Sequence, residues 1–119
     1  IMLRQGGHIL IVDDDSWTRY ALARLFRYRG LPTVVAATLG EGLARLKDEP
    51  CCVVLDLNLP DGCGEAILRT VREQGLSCRV VVYTVVTDQA RLESVAQLGP
   101  DAVFLKPVEA EVLAEACCG

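Results

Sequence analysis

Five short apolar runs, each followed by a stretch with helical patterning, narrow what this chain can fold into more than any other feature. The runs fall at about 8–13, 33–37, 51–56, 79–84 and 102–106. Three of them are nearly unbroken Val/Ile/Leu stretches, the pattern of parallel strands covered on both faces. Pro32 has no backbone N–H, which places the second run at a sheet edge. The first helix is predicted from about Ser16 to Arg29, stopping at Gly30, a natural left-handed terminus. Thr38 and Glu41, in capping-box spacing, announce the second. The third covers about 64–74 and ends at Gly75. Thr87 or Asp88 opens the fourth, and Gly99 with Pro100 closes it. A fifth begins after Pro107 and runs out at Cys117.

This alternation implies a three-layer α/β sandwich. Right-handed crossovers put helices on both faces of a parallel sheet. The ligand site then falls beyond the carboxyl ends of the strands, at the switch point. Asp13, Asp14, Asp56, Thr84 and Lys106 all follow or end strand runs, so they share that rim.

The chain has 119 residues and 51% hydrophobic residues, enough for one domain with a sizeable core. The expectation is a single domain over 1–119, with 1–7 a ragged extension of a piece cut from a longer protein. Twelve basic against sixteen acidic residues leave a net charge of −4. That balance argues against gripping nucleic acid or an anionic membrane by charge. No apolar run approaches the roughly 20 residues of a membrane span, and Ile1 to Gly7 lacks the apolar stretch of a signal peptide. The six cysteines form no C-x-x-C pair and the single His is distant in sequence, against a zinc site. Cys51, Cys52 and Cys78 lie in or beside apolar strands, where a thiol packs as a small hydrophobe. Reduced cysteines and a cytoplasmic location are expected.

Three carboxylates at one rim repel each other, and a hard divalent cation such as Mg²⁺ relieves the repulsion. Asp56 stands on its own strand before the loop Leu57-Asn58-Leu59-Pro60-Asp61-Gly62. A carboxylate there can attack phosphorus to give an acyl phosphate. Lys106 and the Thr84 hydroxyl are placed to meet the transferred group. Asp15 reads as a helix-start residue favoured by the dipole, and Asp61 with Gly62 as a turn without chemistry.

The motifs Val12-Asp13-Asp14-Asp15, Asp56 to Gly64, Tyr83-Thr84 and Leu105-Lys106-Pro107, in this order, resemble the receiver domain of two-component response regulators, the CheY-like family. The resemblance covers about 8–117. It implies a flavodoxin-like fold with strand order 2-1-3-4-5. It implies Asp56 as phosphoacceptor, Thr84 as the switch hydroxyl and Lys106 as the partner of the phosphoryl oxygens. For Mg²⁺ it implies Asp13, Asp14 and Asp56 with the backbone carbonyl of Asn58, and it implies a cis Lys106–Pro107 bond. A sensor histidine kinase or histidine phosphotransfer protein would donate the phosphoryl group. An output domain elsewhere in the full-length protein and a homodimer are further implications.

Three features depart from the family pattern. Val103 stands where the family usually has Tyr or Phe, and alternation should point Phe104 to the other face. Val85 follows the switch threonine where a small residue is usual, so it is expected to narrow access to Asp56. The last helix is short. Arg19, Arg24, Arg27 and Arg29 read as a solvated face of the first helix, or as a docking face if Trp17 and Tyr20 are exposed. Two other functions compete: a pseudo-receiver acting only as an interaction module, motivated by Val85 and Val103, and a Mg²⁺-dependent phosphohydrolase. The second lacks its usual context, since the chain has no room for a cap domain.

Overall fold

The computed structural model describes residues 7–118. Its main sheet has five parallel strands: β1 (Ile9–Val12), β2 (Thr33–Ala36), β3 (Cys52–Leu55), β4 (Arg79–Thr84) and β5 (Ala102–Leu105), in spatial order β2-β1-β3-β4-β5. The helices are α1 (Ser16–Tyr28), α2 (Leu39–Arg45), α3 (Glu65–Glu73), α4 (Gln89–Gln97) and α5 (Ala110–Cys118). The expected flavodoxin-like, three-layer arrangement is therefore the observed one. Residues 1–6 of the expected ragged extension lie outside the described residues.

The unbroken apolar strands behave as their sequence requires. Every residue of β1 and β3 is buried. Alternate side chains enter opposite cores. Leu10, Val12, Val53, Leu55, Val80 and Val82 pack with Ile67, Leu68 and Val71 of α3 and Val95 of α4. Ile9, Ile11, Cys52, Val54, Val81 and Tyr83 pack with Leu22 and Phe26 of α1 and Leu113 and Cys117 of α5. The chain reverses between β1 and β3, and that switch point opens the crevice where the rim residues stand.

Local signals set most boundaries. Asp15 caps α1, its carboxylate accepting the Thr18 N–H at 3.3 Å and the Thr18 hydroxyl at 2.6 Å. Thr38 accepts the Glu41 N–H at 3.1 Å, and the Glu41 carboxylate accepts the Ala37 N–H at 2.7 Å. Asp88 rather than Thr87 caps α4. Gly30 and Gly75 carry positive φ after α1 and α3. The fifth helix starts at Ala110, three residues after Pro107. None of the six cysteines is in a disulfide, and Cys52, Cys78 and Cys117 are buried.

One element goes beyond the sequence reading. The stretch after β3, expected to be a plain loop, closes on itself. Asn58–Leu59 pairs antiparallel with Gly62–Cys63, and the Gly64 N–H bonds the Leu57 carbonyl at 2.9 Å. Gly64 lies so close to β3 that a Cβ there would stand 2.2 Å from the Asp56 carbonyl oxygen and 3.0 Å from the Leu57 Cα. Because these are backbone atoms, no rotamer change relieves the clash. Gly64→Ala should therefore lower unfolding free energy by about 1–3 kcal/mol through forced backbone shifts. Urea denaturation checks this, and a midpoint equal to wild type would contradict the close approach.

Candidate phosphoryl-transfer site

Asp13 and Asp56 each sit one step past the end of a buried strand, still held by the ladder. The Asp13 N–H bonds the Ala36 carbonyl at 3.1 Å, and the Asp56 N–H bonds the Val12 carbonyl at 2.9 Å. Both residues are buried, whereas Asp14 is exposed. One oxygen from each of the three carboxylates lies within 4.8 Å of the others. The expectation that the strand ends gather these groups is met in the geometry.

Lys106 arrives from the end of β5, its N–H bonding the Thr84 carbonyl at 2.8 Å. The Lys106–Pro107 bond is cis. The ammonium stands 2.6 Å from Asp13 Oδ2 and 3.4 Å from Asp56 Oδ2. Its other flank faces the Tyr83 ring, 5.4 Å from the centroid, within cation–π range. The Asp13 Oδ1 accepts the Asp15 N–H at 2.9 Å, and Asp56 Oδ1 accepts a long bond from the Asn58 N–H at 3.4 Å.

One ammonium cannot neutralise this cluster. Burial raises the Asp13 pKa, with a smaller push from the Asp56 charge, and these outweigh the opposing Lys106 and Asp15 contacts. Burial also works against the charged Lys106, but its hydrogen bond to Asp13 and the two carboxylate charges outweigh that and raise its pKa. Burial thus favours the neutral form of both groups, and only for Lys106 do the neighbouring charges outweigh it. The donor set is therefore one that a hard cation completes: carboxylate oxygens, one of them on an exposed residue.

Thr84 is fully buried, and its hydroxyl oxygen accepts the Val86 N–H at 3.2 Å. Val85, expected to narrow access to Asp56, is 62% exposed. Val103 is 39% exposed, and Phe104 points to the other face, where it packs in the core containing Tyr83. Trp17 and Tyr20 are both exposed, in an edge-to-face pair with centroids 6.4 Å apart. Arg19 is not merely solvated, for its guanidinium donates to the Asp13 carbonyl at 2.9 Å.

Sequence reasoning missed two supports of the loop after Asp56. Asp61, read as a turn residue, accepts the Leu39 and Gly40 N–H groups at 2.7 and 2.9 Å and so caps α2 from across the chain. Those backbone bonds hold its carboxyl below the usual range. Arg91 of α4 donates to the Leu57 carbonyl, the Asn58 side chain and both oxygens of Glu65. Neither contact has a local sequence signature, because each joins residues more than twenty positions apart.

Comparison with known proteins agrees with this geometry. Residues 9–117 match the family model described as response regulator receiver domain. The photosynthetic apparatus regulatory protein RegA of Rhodobacter capsulatus is 32% identical over 109 residues, covering 91% of this chain and 59% of that protein. The nitrate/nitrite response regulator protein NarL of Escherichia coli K12 is 33% identical over 116 residues, covering 95% of this chain and 54% of that protein. The chain thus spans between half and two thirds of the length of these relatives. Among solved structures, a CheY-like response regulator receiver domain protein from Methanospirillum hungatei JF-1 superposes with a TM-score of 0.85 at 29% identity, covering 92% of this chain and 88% of that one. A matching family model over nearly the whole described chain, together with the fold and the clustered rim, places this chain in the response regulator receiver domain family.

Proposed function

We propose that this domain is phosphorylated on Asp56 and signals by the conformational state that results. The observation carrying the reading is Lys106, poised between Asp13 and Asp56 at 2.6 and 3.4 Å. A carboxylate, a cationic side chain and two further acids stand at one sheet edge. In the reaction, an Asp56 oxygen attacks the phosphorus of a phosphohistidine on a sensor histidine kinase or phosphotransfer protein. The P–N bond breaks and its electron pair returns to the imidazole. Lys106 then pairs with a phosphoryl oxygen instead of Asp13, and the Thr84 hydroxyl leaves the Val86 N–H to donate to another. Water attack on phosphorus later restores the Asp56 carboxylate.

Asp13, Asp14 and Asp56 would hold Mg²⁺, with the backbone carbonyl of Asn58 as a further ligand. When bound, the metal offsets charge on the transferring group. The donor chemistry and the excess negative charge support this assignment. The domain acts only on its own aspartate, so it is a signalling module rather than an enzyme with an external product.

Wider roles rest on the same reading. The full-length protein would carry an output domain, act in the cytoplasm and form homodimers in some states. This domain itself would bind neither nucleic acid nor membrane: its net charge is −4, and no helix among the described residues is long and apolar enough to cross a membrane. The pseudo-receiver alternative draws on Val85 and Val103, which are 62% and 39% exposed.

Two experiments test the proposal. With Mg²⁺ and acetyl phosphate or beryllofluoride, mass spectrometry and fluorine NMR should reveal an adduct that Asp56→Ala abolishes. No adduct on the folded wild type would favour the pseudo-receiver. The second concerns stability. Because the folded state holds the Asp13 proton more tightly than the open chain does, Asp13 contributes stability at low pH that is lost as pH rises through its folded pKa. At neutral pH without metal, Asp13→Asn should therefore melt above wild type, and this advantage should vanish in acid. Millimolar Mg²⁺ should stabilise wild type more than the variant. Thermal melts across pH, with and without Mg²⁺, read both effects.

A further inference from the structure

We propose that Arg91 is a positioning residue for the cation-binding loop, so that the seating of α4 and the occupancy of the Mg²⁺ site depend on each other. The inference rests on the Mg²⁺ reading above. It comes from the pattern of contacts made by one guanidinium. Arg91 Nε donates to Glu65 Oε2 at 2.8 Å, and Nη2 donates to Glu65 Oε1 at 3.0 Å, a two-pronged pair on a nearly buried carboxylate. The same side chain goes further. Nη2 donates to the Leu57 carbonyl at 2.8 Å, and Nη1 donates to Asn58 Oδ1 at 2.7 Å.

Leu57 and Asn58 are the two residues directly after Asp56. Asn58 is thus held from both ends, its N–H toward Asp56 Oδ1 and its side chain by Arg91. The Leu57 carbonyl takes bonds from both Gly64 and Arg91. An ordinary helix-to-helix ion pair would need Glu65 alone. Here the cation also fixes the backbone that would offer the Asn58 carbonyl. Such outer contacts orient the groups that touch a metal, and their loss commonly weakens binding about 10–100-fold.

The opposite direction of coupling follows from how α4 is seated. Val95 is its only buried residue, with Leu92 and Leu98 partly covered. With so little apolar anchorage, the four hydrogen bonds of Arg91 form a large share of what holds α4 to the rest. Linkage then makes the effect reciprocal: if α4 seating strengthens cation binding, cation binding must strengthen α4 seating by the same free energy.

Arg72 supplies a matched control. Its guanidinium makes a similar set of bonds, to the Gly99 carbonyl at 2.9 and 2.7 Å, Asp101 at 2.9 Å and the Cys78 carbonyl at 3.3 Å. These lie at the other end of the sheet from the rim, beside the start of β4.

The test combines Mg²⁺ titration calorimetry with amide hydrogen exchange on the metal-free and Mg²⁺-saturated chain. In wild type, Mg²⁺ should slow exchange in α4. Arg91→Ala should weaken Mg²⁺ binding about tenfold and abolish the Mg²⁺-dependent protection of α4. Arg91→Lys, which keeps the charge but not the fork, should fall between. Arg72→Ala should lose stability and keep wild-type Mg²⁺ affinity. Wild-type affinity in folded Arg91→Ala, or equal weakening in Arg72→Ala, would overturn the inference. Wild type that binds no Mg²⁺ would instead overturn the metal reading beneath it. Should Arg91→Ala fail to fold, Arg91→Lys against Arg72→Ala decides the same question.

Discussion

Two nearly buried carboxylates share one lysine at the rim of this sheet, with a third acid beside them. The sharing sets the character of the structure. Lys106 reaches both Asp13 and Asp56 only because β1, β3 and β5 end at the same edge, and those strands end there because their apolar residues fix the register. A slip of one residue would turn each carboxylate into the core. The fully buried β1 and β3 are therefore what a concentrated charge cluster needs in order to exist at all. In return the cluster sits in a poorly solvated place, where burial raises the Asp13 pKa. A fold that tolerates such a cost in the resting state is one whose charge balance a cation or a phosphoryl group can reset.

The loop after Asp56 extends that constraint outward. It is tied to α2 through Asp61, pulled against β3 at Gly64, and held to α4 through Arg91. Every tie lies on the α2–α3–α4 face, none on the α1–α5 face. Whatever happens at Asp56 is consequently felt first on one side of the sheet. That side is also the less completely covered one. Leu105 is 46% exposed, Val103 is not far behind, and α4 buries a single residue. Few buried apolar contacts mean low local stability, the property a responsive element requires.

Much of this was legible in the sequence, for identifiable reasons. The strands could be read because parallel strands buried on both faces are nearly pure Val, Ile and Leu. The rim could be read because topology carries strand ends to one edge wherever the helices go. Helix starts at Asp15, Thr38 and Asp88 could be read because a cap binds a backbone N–H three residues away. What stayed hidden was long-range and made by ordinary surface residue types. Arg91 and Glu65 lie on different helices, 26 positions apart, and each looks like a solvated charge on its own helix. Asp61 sits in an unremarkable Pro-Asp-Gly turn, and its carboxylate finds α2 only once the layers are assembled.

A relay from Thr84 of the kind proposed above would have to differ here from that of a receiver with an aromatic at the position of Val103. Register pairs Val82 with Val103, Tyr83 with Phe104, and Thr84 with Leu105. Parity along the strands puts Phe104 and Tyr83 in the α1–α5 core, where the Tyr83 hydroxyl lies 3.4 Å from the Val108 N–H. The α4 side receives only the aliphatic Val103 and Leu105. If the Thr84 hydroxyl turns toward the site, the β5 side chains on its face are Val103 and Leu105. Two short branched side chains cannot supply the inward swing of a ring, since each has few rotamers and little reach. The element able to answer on this face is α4 itself, lightly packed and bound through Arg91 to the residues that follow Asp56. Movement of a helix would then take the place that rotation of an aromatic side chain holds in receivers with a ring at this position.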